Sequence, residues 1–154
     1  MRNHMTIVSR NEGVAHSEHP SARLVAIREN ESVRTIYVTA MDNVHGSNLV
    51  RTMKNSKPRY VIDMRLAMRF DSPGMNRGIF FDLIEITGSE YIRIRSMGSA
   101  EKDMLDDVLR YSRVSNGDIV LLMPKRTDVF RIIDALGNLM SKIKDRSWVM
   151  NSML

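Results

Sequence analysis

The chain alternates between short apolar runs and longer stretches in which apolar residues recur every three or four positions. Runs rich in β-branched residues lie at Arg59–Met64 and Asp118–Met123, and helical spacing is found in the segments that separate such runs. Strands that alternate with helices need crossover connections, which favour a mainly parallel sheet with helices on both faces. The pattern therefore predicts an α/β fold, a Rossmann-like three-layer sandwich.

Each predicted helix begins at a residue that commonly caps helices, because its side chain can accept a hydrogen bond from a free backbone amide. The predicted first residues are Ser47, Asn76, Ser99 and Thr127. Gly88 is the predicted end of the second helix, since glycine readily takes the left-handed conformation that ends helices. A half-exposed strand at Tyr91–Arg95 is predicted to follow, because apolar and polar residues alternate there.

The N-terminal part of the chain has a different pattern. Two β-rich runs, Ala22–Arg28 and Val33–Ala40, flank a polar turn and predict a β-hairpin, so that the elements follow the order ββαβαβαβα. Residues 1–20 hold three of the four histidines but few periodic apolar positions. We therefore predict a flexible N-terminal arm at residues 1–20 and a single α/β domain at residues 21–154.

Composition narrows the class of protein. The 154 residues, 43% hydrophobic and 27% charged, suit one globular domain. The chain contains no cysteine, which excludes disulfides and thiolate nucleophiles and fits a reducing compartment. No apolar run approaches the roughly twenty residues that cross a bilayer, and the N-terminus lacks the apolar segment of a signal peptide. These features predict a cytoplasmic protein without membrane contact.

The chain is basic, with 23 Lys and Arg residues against 18 Asp and Glu residues and a formal net charge of +5. A positive surface attracts anionic partners, of which nucleic acid is the obvious candidate. Arginine greatly outnumbers lysine, and guanidinium groups bind phosphate or carboxylate through paired hydrogen bonds. No run of Lys and Arg is longer than two residues, so the sequence predicts no basic tail or basic helix.

Polar residues follow three of the predicted strands, and open α/β sheets bind ligands at the carboxyl ends of their strands. If the strands are neighbours, these loops converge, and their cations and the free amides of two helix starts form an anion site suited to phosphate. The residues of this predicted site are Ser47, Arg65, Arg69, Lys125, Arg126 and Thr127. The alternative is that Asp63 and Arg65 only satisfy the strand ends by pairing with neighbouring residues, while Lys125 and Arg126 are solvated.

Two carboxylates in these loops, Asp42 and Asp63, are candidates for acid/base chemistry. His45 lies close to Asp42 and Ser47, and together they supply the residue types of a hydrolytic triad. Members of a triad rarely lie so close in sequence, however, and the chain has no G-x-S-x-G turn. A surface or helix-capping role is therefore favoured for these three residues.

The sequence predicts neither a metal ion nor a cofactor. His16 and His19 have a spacing that would suit two metal ligands on a helix, but Pro20 and the lack of an adjoining acidic motif argue against a site. The chain also lacks a Walker loop and a G-x-G-x-x-G turn, the strongest signals for nucleotide cofactors.

The C-terminal segment is apolar. Its candidate partner-binding residues are Trp148, Met150, Met153 and Leu154. An exposed apolar ending would dock on a partner protein. The alternative, which the sequence leaves open, is that the segment packs on its own sheet.

A set of short motifs resembles those of the uncharacterised bacterial family called domain of unknown function four-eight-eight. The motifs are Tyr60–Arg65 (YVIDMR), Arg69, Asn76-Arg77, Tyr91 and the later segment LLMPKRTDVFRII, within residues 35–136. The resemblance implies a Rossmann-like fold with a buried strand that ends in Asp-x-Arg, and an Arg-lined anion site at Asp63, Arg65 and Arg69. That family resembles the rhodaneses, but sulfur chemistry of the rhodanese kind needs cysteine, which this chain lacks.

Three functions are compatible with these patterns. The first is an accessory binding subunit that contacts nucleic acid, or a nucleic-acid-associated protein complex, through an Arg-rich face. The second is a small enzyme that acts on a phosphorylated or nucleotide ligand at the carboxyl ends of the strands, with Asp42 or Asp63 as the acid/base group. The third is a structural assembly subunit whose N-terminal arm and C-terminus become ordered in a complex. An oligomer is compatible with each of them.

Overall fold

A parallel β-sheet forms the centre of the computed structural model, which describes residues 33–41, 45–70, 72–94, 101–143 and 147–153. The strands in these ranges are β1 (Arg34–Ala40), β2 (Tyr60–Asp63), β3 (Glu90–Arg93), β4 (Ile119–Met123) and β5 (Trp148–Ser152). The helices in these ranges are α1 (Gly46–Ser56), α2 (Arg77–Thr87), α3 (Glu101–Val114) and α4 (Arg126–Lys142). Strands and helices alternate along the chain, and every strand pair is parallel. The protein therefore has the predicted α/β fold of Rossmann-like type.

The strand order across the sheet is β3-β2-β4-β1-β5. β4 lies at the centre, and all five of its residues are apolar and buried. A strand that is covered on both faces and paired on both edges requires apolar residues at every position. β3 lies at one edge and begins and ends with a charged residue, as expected of a strand beside solvent.

The helices cover both faces of the sheet. α1 and α2 connect strands in one direction across the sheet and α3 and α4 connect them in the other, so right-handed crossovers place the two pairs on opposite faces. Two hydrophobic clusters agree with this arrangement. One contains Leu105 of α3 and Ile132 of α4, and the other contains Met53 of α1 and Phe80 of α2. None of the helices described is both long enough and apolar enough to span a membrane.

The predicted N-terminal hairpin is wrong as a pairing of the first described strand. Val33–Ala40 does contain β1, but β1 pairs in parallel with β4 through Ile36–Ala40 and with β5 through Arg34–Val38. Strands from later in the chain therefore occupy both edges of β1 and leave no edge for an antiparallel neighbour. The other half of the predicted hairpin, Ala22–Arg28, and the predicted arm at residues 1–20 lie outside the described residues.

Helix α2 has both of the caps that the sequence predicts. The Oδ1 atom of Asn76 accepts a hydrogen bond from the Ile79 amide at 2.9 Å. Gly88 follows the helix with a φ of 66°, a left-handed conformation that glycine adopts without steric cost.

Helices α1 and α4 begin before their predicted caps. Ser47 lies in the first turn of α1, whose N-cap is His45. Thr127 lies in the first turn of α4, whose N-cap Lys125 makes no capping hydrogen bond through its side chain. The predicted cap Ser99 lies outside the described residues.

The C-terminal segment forms edge strand β5. Trp148 is buried, and Met150 and Met153 are half-buried against the two hydrophobic clusters. The segment therefore packs on its own sheet, the alternative that the sequence left open. Leu154 lies outside the described residues, and a role of this segment in partner binding stays a prediction.

Candidate functional site

The carboxyl edge of the sheet brings together the loops that were predicted to converge. β2, β4 and β1 are consecutive neighbours, so their ends lie side by side. The loops that follow β1 and β2 are joined directly, because the Gly46 amide donates a hydrogen bond to the Pro73 carbonyl at 2.9 Å. The Ser72 hydroxyl also donates to the Met41 carbonyl. This edge is therefore where a ligand of this domain is expected.

A cleft of about 460 Å³ opens at this edge. The loop after β2 leads to α2 on one face and the loop after β4 leads to α4 on the other, and such diverging connections create the crevice in which α/β sheets bind ligands. The described residues that line the cleft are Met41, Arg65, Leu66, Ala67, Arg69, Ser72, Pro73 and Pro124. Five of these eight residues are apolar, and the other three are two arginines and one serine. Small-molecule sites typically have volumes of roughly 300–1,000 Å³, so the cleft is large enough for a ligand.

Asp63 and Arg65 form a buried ion pair at the base of this edge. Their relative exposures are 0% and 5%. Arg65 Nε donates to Asp63 Oδ1 at 2.8 Å, and Arg65 Nη2 donates to Asp63 Oδ2 at 2.7 Å. Side chains two residues apart on an extended chain point the same way, which allows this two-pronged contact. The pair thus satisfies the strand end, as the alternative predicted, and Arg65 also lines the cleft. Anion binding by Arg65 stays a prediction.

Further hydrogen bonds hold the pair in place. Asp63 Oδ1 also accepts from the Arg65 backbone amide at 3.0 Å, and Asp63 Oδ2 accepts from the Tyr91 hydroxyl at 2.7 Å. Arg65 Nη1 donates to the Arg69 carbonyl at 2.6 Å. A carboxylate has about four acceptor positions, and these donors occupy all of them. Proton transfer by Asp63 to or from a substrate would first require one of these bonds to break.

The Tyr91 hydroxyl belongs to this network, and its pKa is shifted. Burial raises the pKa of its hydroxyl above the usual value, and the hydrogen bond to Asp63 raises it further. The neutral phenol is thus the form that the folded chain stabilises. This contribution to stability is complete below the ordinary tyrosine pKa of about 10 and is lost as the pH rises above it.

We expect Tyr91→Phe to lower the free energy of unfolding by about 1.5 kcal/mol at neutral pH, because a buried carboxylate loses one of its donors. The alkaline loss of stability should also be smaller in this variant. Urea denaturation at neutral and alkaline pH measures both effects. The control is Tyr111→Phe, since Tyr111 is also half-buried but its hydroxyl bonds to no described residue. Equal stabilities of the two variants would contradict the assigned role of Tyr91.

The structure divides the predicted anion site. Arg65 and Arg69 line the cleft. Lys125, Arg126 and Thr127 are exposed and follow Pro124, a wall residue, but do not line the cleft themselves. The cations that the sequence grouped together therefore occupy two adjacent parts of the carboxyl edge.

His45 and Ser47 are occupied in capping α1. The Nδ1 atom of His45 accepts from the Ser47 amide at 3.2 Å and lies 2.7 Å from the Ser47 hydroxyl oxygen. This is the capping role that the sequence analysis favoured over a hydrolytic triad. Asp42, the third residue of that group and a candidate acid/base residue, lies outside the described residues.

The exposed side of α1 is a basic surface that sequence reasoning missed. It carries two cations together with amide and hydroxyl side chains, and α1 contains no carboxylate. We call this set the α1 polar surface, and its members are Ser47, Asn48, Arg51, Lys54 and Asn55. The signal that would have revealed it is helical spacing, because the cations lie three residues apart and not in a contiguous run.

Among the described residues, no three His, Asp or Glu side chains are grouped so that they could hold a metal ion. Comparison of the chain with protein-family models, with curated proteins and with solved structures finds no match. The resemblance to the family named above therefore stays a prediction.

Proposed function

We propose that this domain is a non-catalytic binding subunit that contacts nucleic acid through the α1 polar surface and the adjoining cleft. The observation that carries the proposal is the composition of that surface, which combines exposed cations with amides and lacks any carboxylate. The N-terminus of α1 is bonded to Pro73, a wall of the cleft, so the surface and the cleft adjoin.

The side chains of the α1 polar surface match the chemistry of a polynucleotide. Arg51 and Lys54 supply positive charge for phosphates, which provide most of the affinity in such complexes. Asn48 and Asn55 carry both hydrogen-bond donors and acceptors, which suits base edges and sugars. Arg69 adds a further exposed cation at the cleft.

The charges of helix α3, on the opposite face of the sheet, also favour binding through α1. Helix α3 carries four carboxylates, which are Glu101, Asp103, Asp106 and Asp107. These would repel a polyanion, whereas α1 has none. Helix α3 also carries Lys102, Arg110 and Arg113, so its four acids and three bases give a net charge of −1, against +2 for α1. This difference between the two helices favours approach of nucleic acid along α1.

The geometry favours binding over catalysis in the part of the site that the structure describes. Asp63 is fully hydrogen-bonded to Arg65 and Tyr91, so it serves to position Arg65. An acid/base residue needs free access to a reacting atom, which these contacts do not provide.

The double variant Arg51→Gln/Lys54→Gln tests the proposal. We expect weaker binding to a labelled single-stranded oligonucleotide and a shallower dependence of log K on log salt. The slope should fall by about 1.4, since each lost phosphate contact removes roughly 0.7 for a single strand. Fluorescence anisotropy across a salt series measures both quantities.

The matched control is Arg110→Gln/Arg113→Gln on α3, which removes the same charge from the opposite face. We expect this control to keep the slope of the wild-type protein. Equal loss of slope in both variants would show that net charge alone drives binding. Such a result, or the absence of salt-dependent binding, would contradict the proposal.

A further inference from the structure

The two arginines of the cleft differ in whether a neighbouring carboxylate balances their charge. The charge of Arg65 is balanced by Asp63, with 2.7 Å between Arg65 Nη2 and Asp63 Oδ2. Arg69 is exposed, and its side chain has no hydrogen bond or ion pair with any described residue. Arg69 is therefore suited to an anion, whereas Arg65 is suited to a neutral acceptor.

Arg65 also has N–H groups that donate to no described residue. A guanidinium carries five N–H groups, of which one each on Nε and Nη2 is used by Asp63 and one on Nη1 is used by the Arg69 carbonyl. One N–H on each terminal nitrogen therefore has no described acceptor. The Phe70 ring lies 5.2 Å from the guanidinium carbon and helps to fix its plane. One wall of the cleft is thus Arg65, whose ion pair with Asp63 is neutral overall and whose two remaining N–H groups have no described acceptor.

The remaining walls suit the flat faces of a base. Met41, Leu66 and Ala67 are apolar, and Pro73 and Pro124 add rigid apolar rings. The volume of about 460 Å³ has the scale of a ligand of nucleotide size. A base inside a duplex is stacked and paired, so it reaches such a cleft only after leaving the stack.

We infer that the cleft takes one nucleotide, with Arg69 on its phosphate and Arg65 on an acceptor edge of its base. This inference rests on the proposed function and adds to it that the bound partner is single-stranded where it meets the cleft. Guanine fits this donor pair best, because its O6 and N7 atoms are neighbouring acceptors that arginine commonly contacts.

Filling the cleft tests the inference without disturbing the ion pair. Ala67 is an exposed wall residue, so Ala67→Trp should occupy the cleft and leave the fold intact. We expect about ten-fold weaker binding to a labelled single strand, unchanged binding to the matching duplex and a single-strand salt slope lower by about 0.7, because the phosphate contact of Arg69 is lost. Ala67→Leu is the milder second variant, and Asn138→Trp, at an exposed position of α4, is the control for an added indole. Wild-type affinity of Ala67→Trp for the single strand would overturn the inference.

Competition with free nucleotides shows whether the cleft binds a free nucleotide or only a nucleotide within a strand. If unlabelled GMP displaces the strand from the wild-type protein but not from Ala67→Trp, the cleft accepts free nucleotides as well. If only strands compete, the cleft recognises a nucleotide within a polymer, and the effect of Ala67→Trp then supports the inference. A strand centred on guanine should bind about ten-fold more tightly than one centred on adenine. Equal binding of the two strands would overturn the role given to Arg65.

Failure of this inference is distinguishable from failure of the proposed function. Salt-dependent binding that needs Arg51 and Lys54 but is indifferent to Ala67→Trp would keep the α1 polar surface as the binding surface and remove the cleft from it. The absence of salt-dependent binding in the wild-type protein would contradict both the proposed function and this inference.

Discussion

Replacement of Arg65 by methionine is expected to lower the free energy of unfolding by about 3–5 kcal/mol, because it leaves the Asp63 carboxylate buried without its counter-charge. Asp63 is fully buried and draws three of its four hydrogen bonds from Arg65. Of those three bonds, only the one from the backbone amide of residue 65 would remain in the methionine variant. Methionine keeps much of the side-chain volume, so the loss reflects the uncompensated charge more than a cavity.

Urea denaturation at neutral pH measures this effect. Arg69→Met is the control, because Arg69 is exposed and its side chain has no described partner. Its effect should stay within about 0.5 kcal/mol. The double variant Asp63→Asn/Arg65→Met should recover part of the lost stability, since it removes both charges. A loss of stability in Arg65→Met no larger than in Arg69→Met would refute the structural importance of the pair.

Gly46→Ala is expected to cost about 2–3 kcal/mol, the second largest effect, because the new methyl group has no space. A Cβ atom on Gly46 would lie 2.6 Å from the backbone carbon and oxygen of Gly74 and 2.8 Å from the amide nitrogen of Met75. Backbone atoms cannot rotate away as a side chain can. The substitution should therefore separate the start of α1 from the loop after β2 and widen the cleft.

The matched control is Gly137→Ala in α4. A Cβ atom there meets nothing within 4 Å, and alanine is a better helix former than glycine. We expect the control to raise the free energy of unfolding by about 0.5–1 kcal/mol. Thermal melts of both variants give the sign of each change. A stability of Gly46→Ala equal to that of the wild-type protein would show that the two loops are not held together as described.

Local sequence patterns predicted the four helices and strands β1 to β4, but they missed β5, since the predicted order ended in a helix, and they did not give the neighbours of each strand. Asn76 and Gly88 identified the ends of α2 because a capping side chain and a left-handed glycine act within a single turn. The hairpin failed because a β-rich run indicates a strand and says nothing about its partner. The partners of β1 come from Ile119–Met123 and Trp148–Ser152, far along the chain.

The candidate site shows the same limit. The contact between Asp63 and Arg65 could be anticipated from their spacing of two residues at the end of a strand, but the Tyr91 hydroxyl reaches Asp63 from another strand. Arg69 and Lys125 looked equivalent in sequence, yet only Arg69 lines the cleft. The α1 polar surface was missed because a count of adjacent cations ignores the helical period that places Arg51 and Lys54 on the same side.

The most direct test of the central claim is a map of backbone amide chemical shifts with and without a single-stranded oligonucleotide. We expect the perturbed amides to fall in α1, at Gly46–Ser56, and in the loop that lines the cleft, at Arg65–Phe70, with little change in α3. Perturbations confined to α3 and α4, or none at saturating oligonucleotide, would contradict the proposal that this domain binds nucleic acid through the α1 polar surface and the cleft.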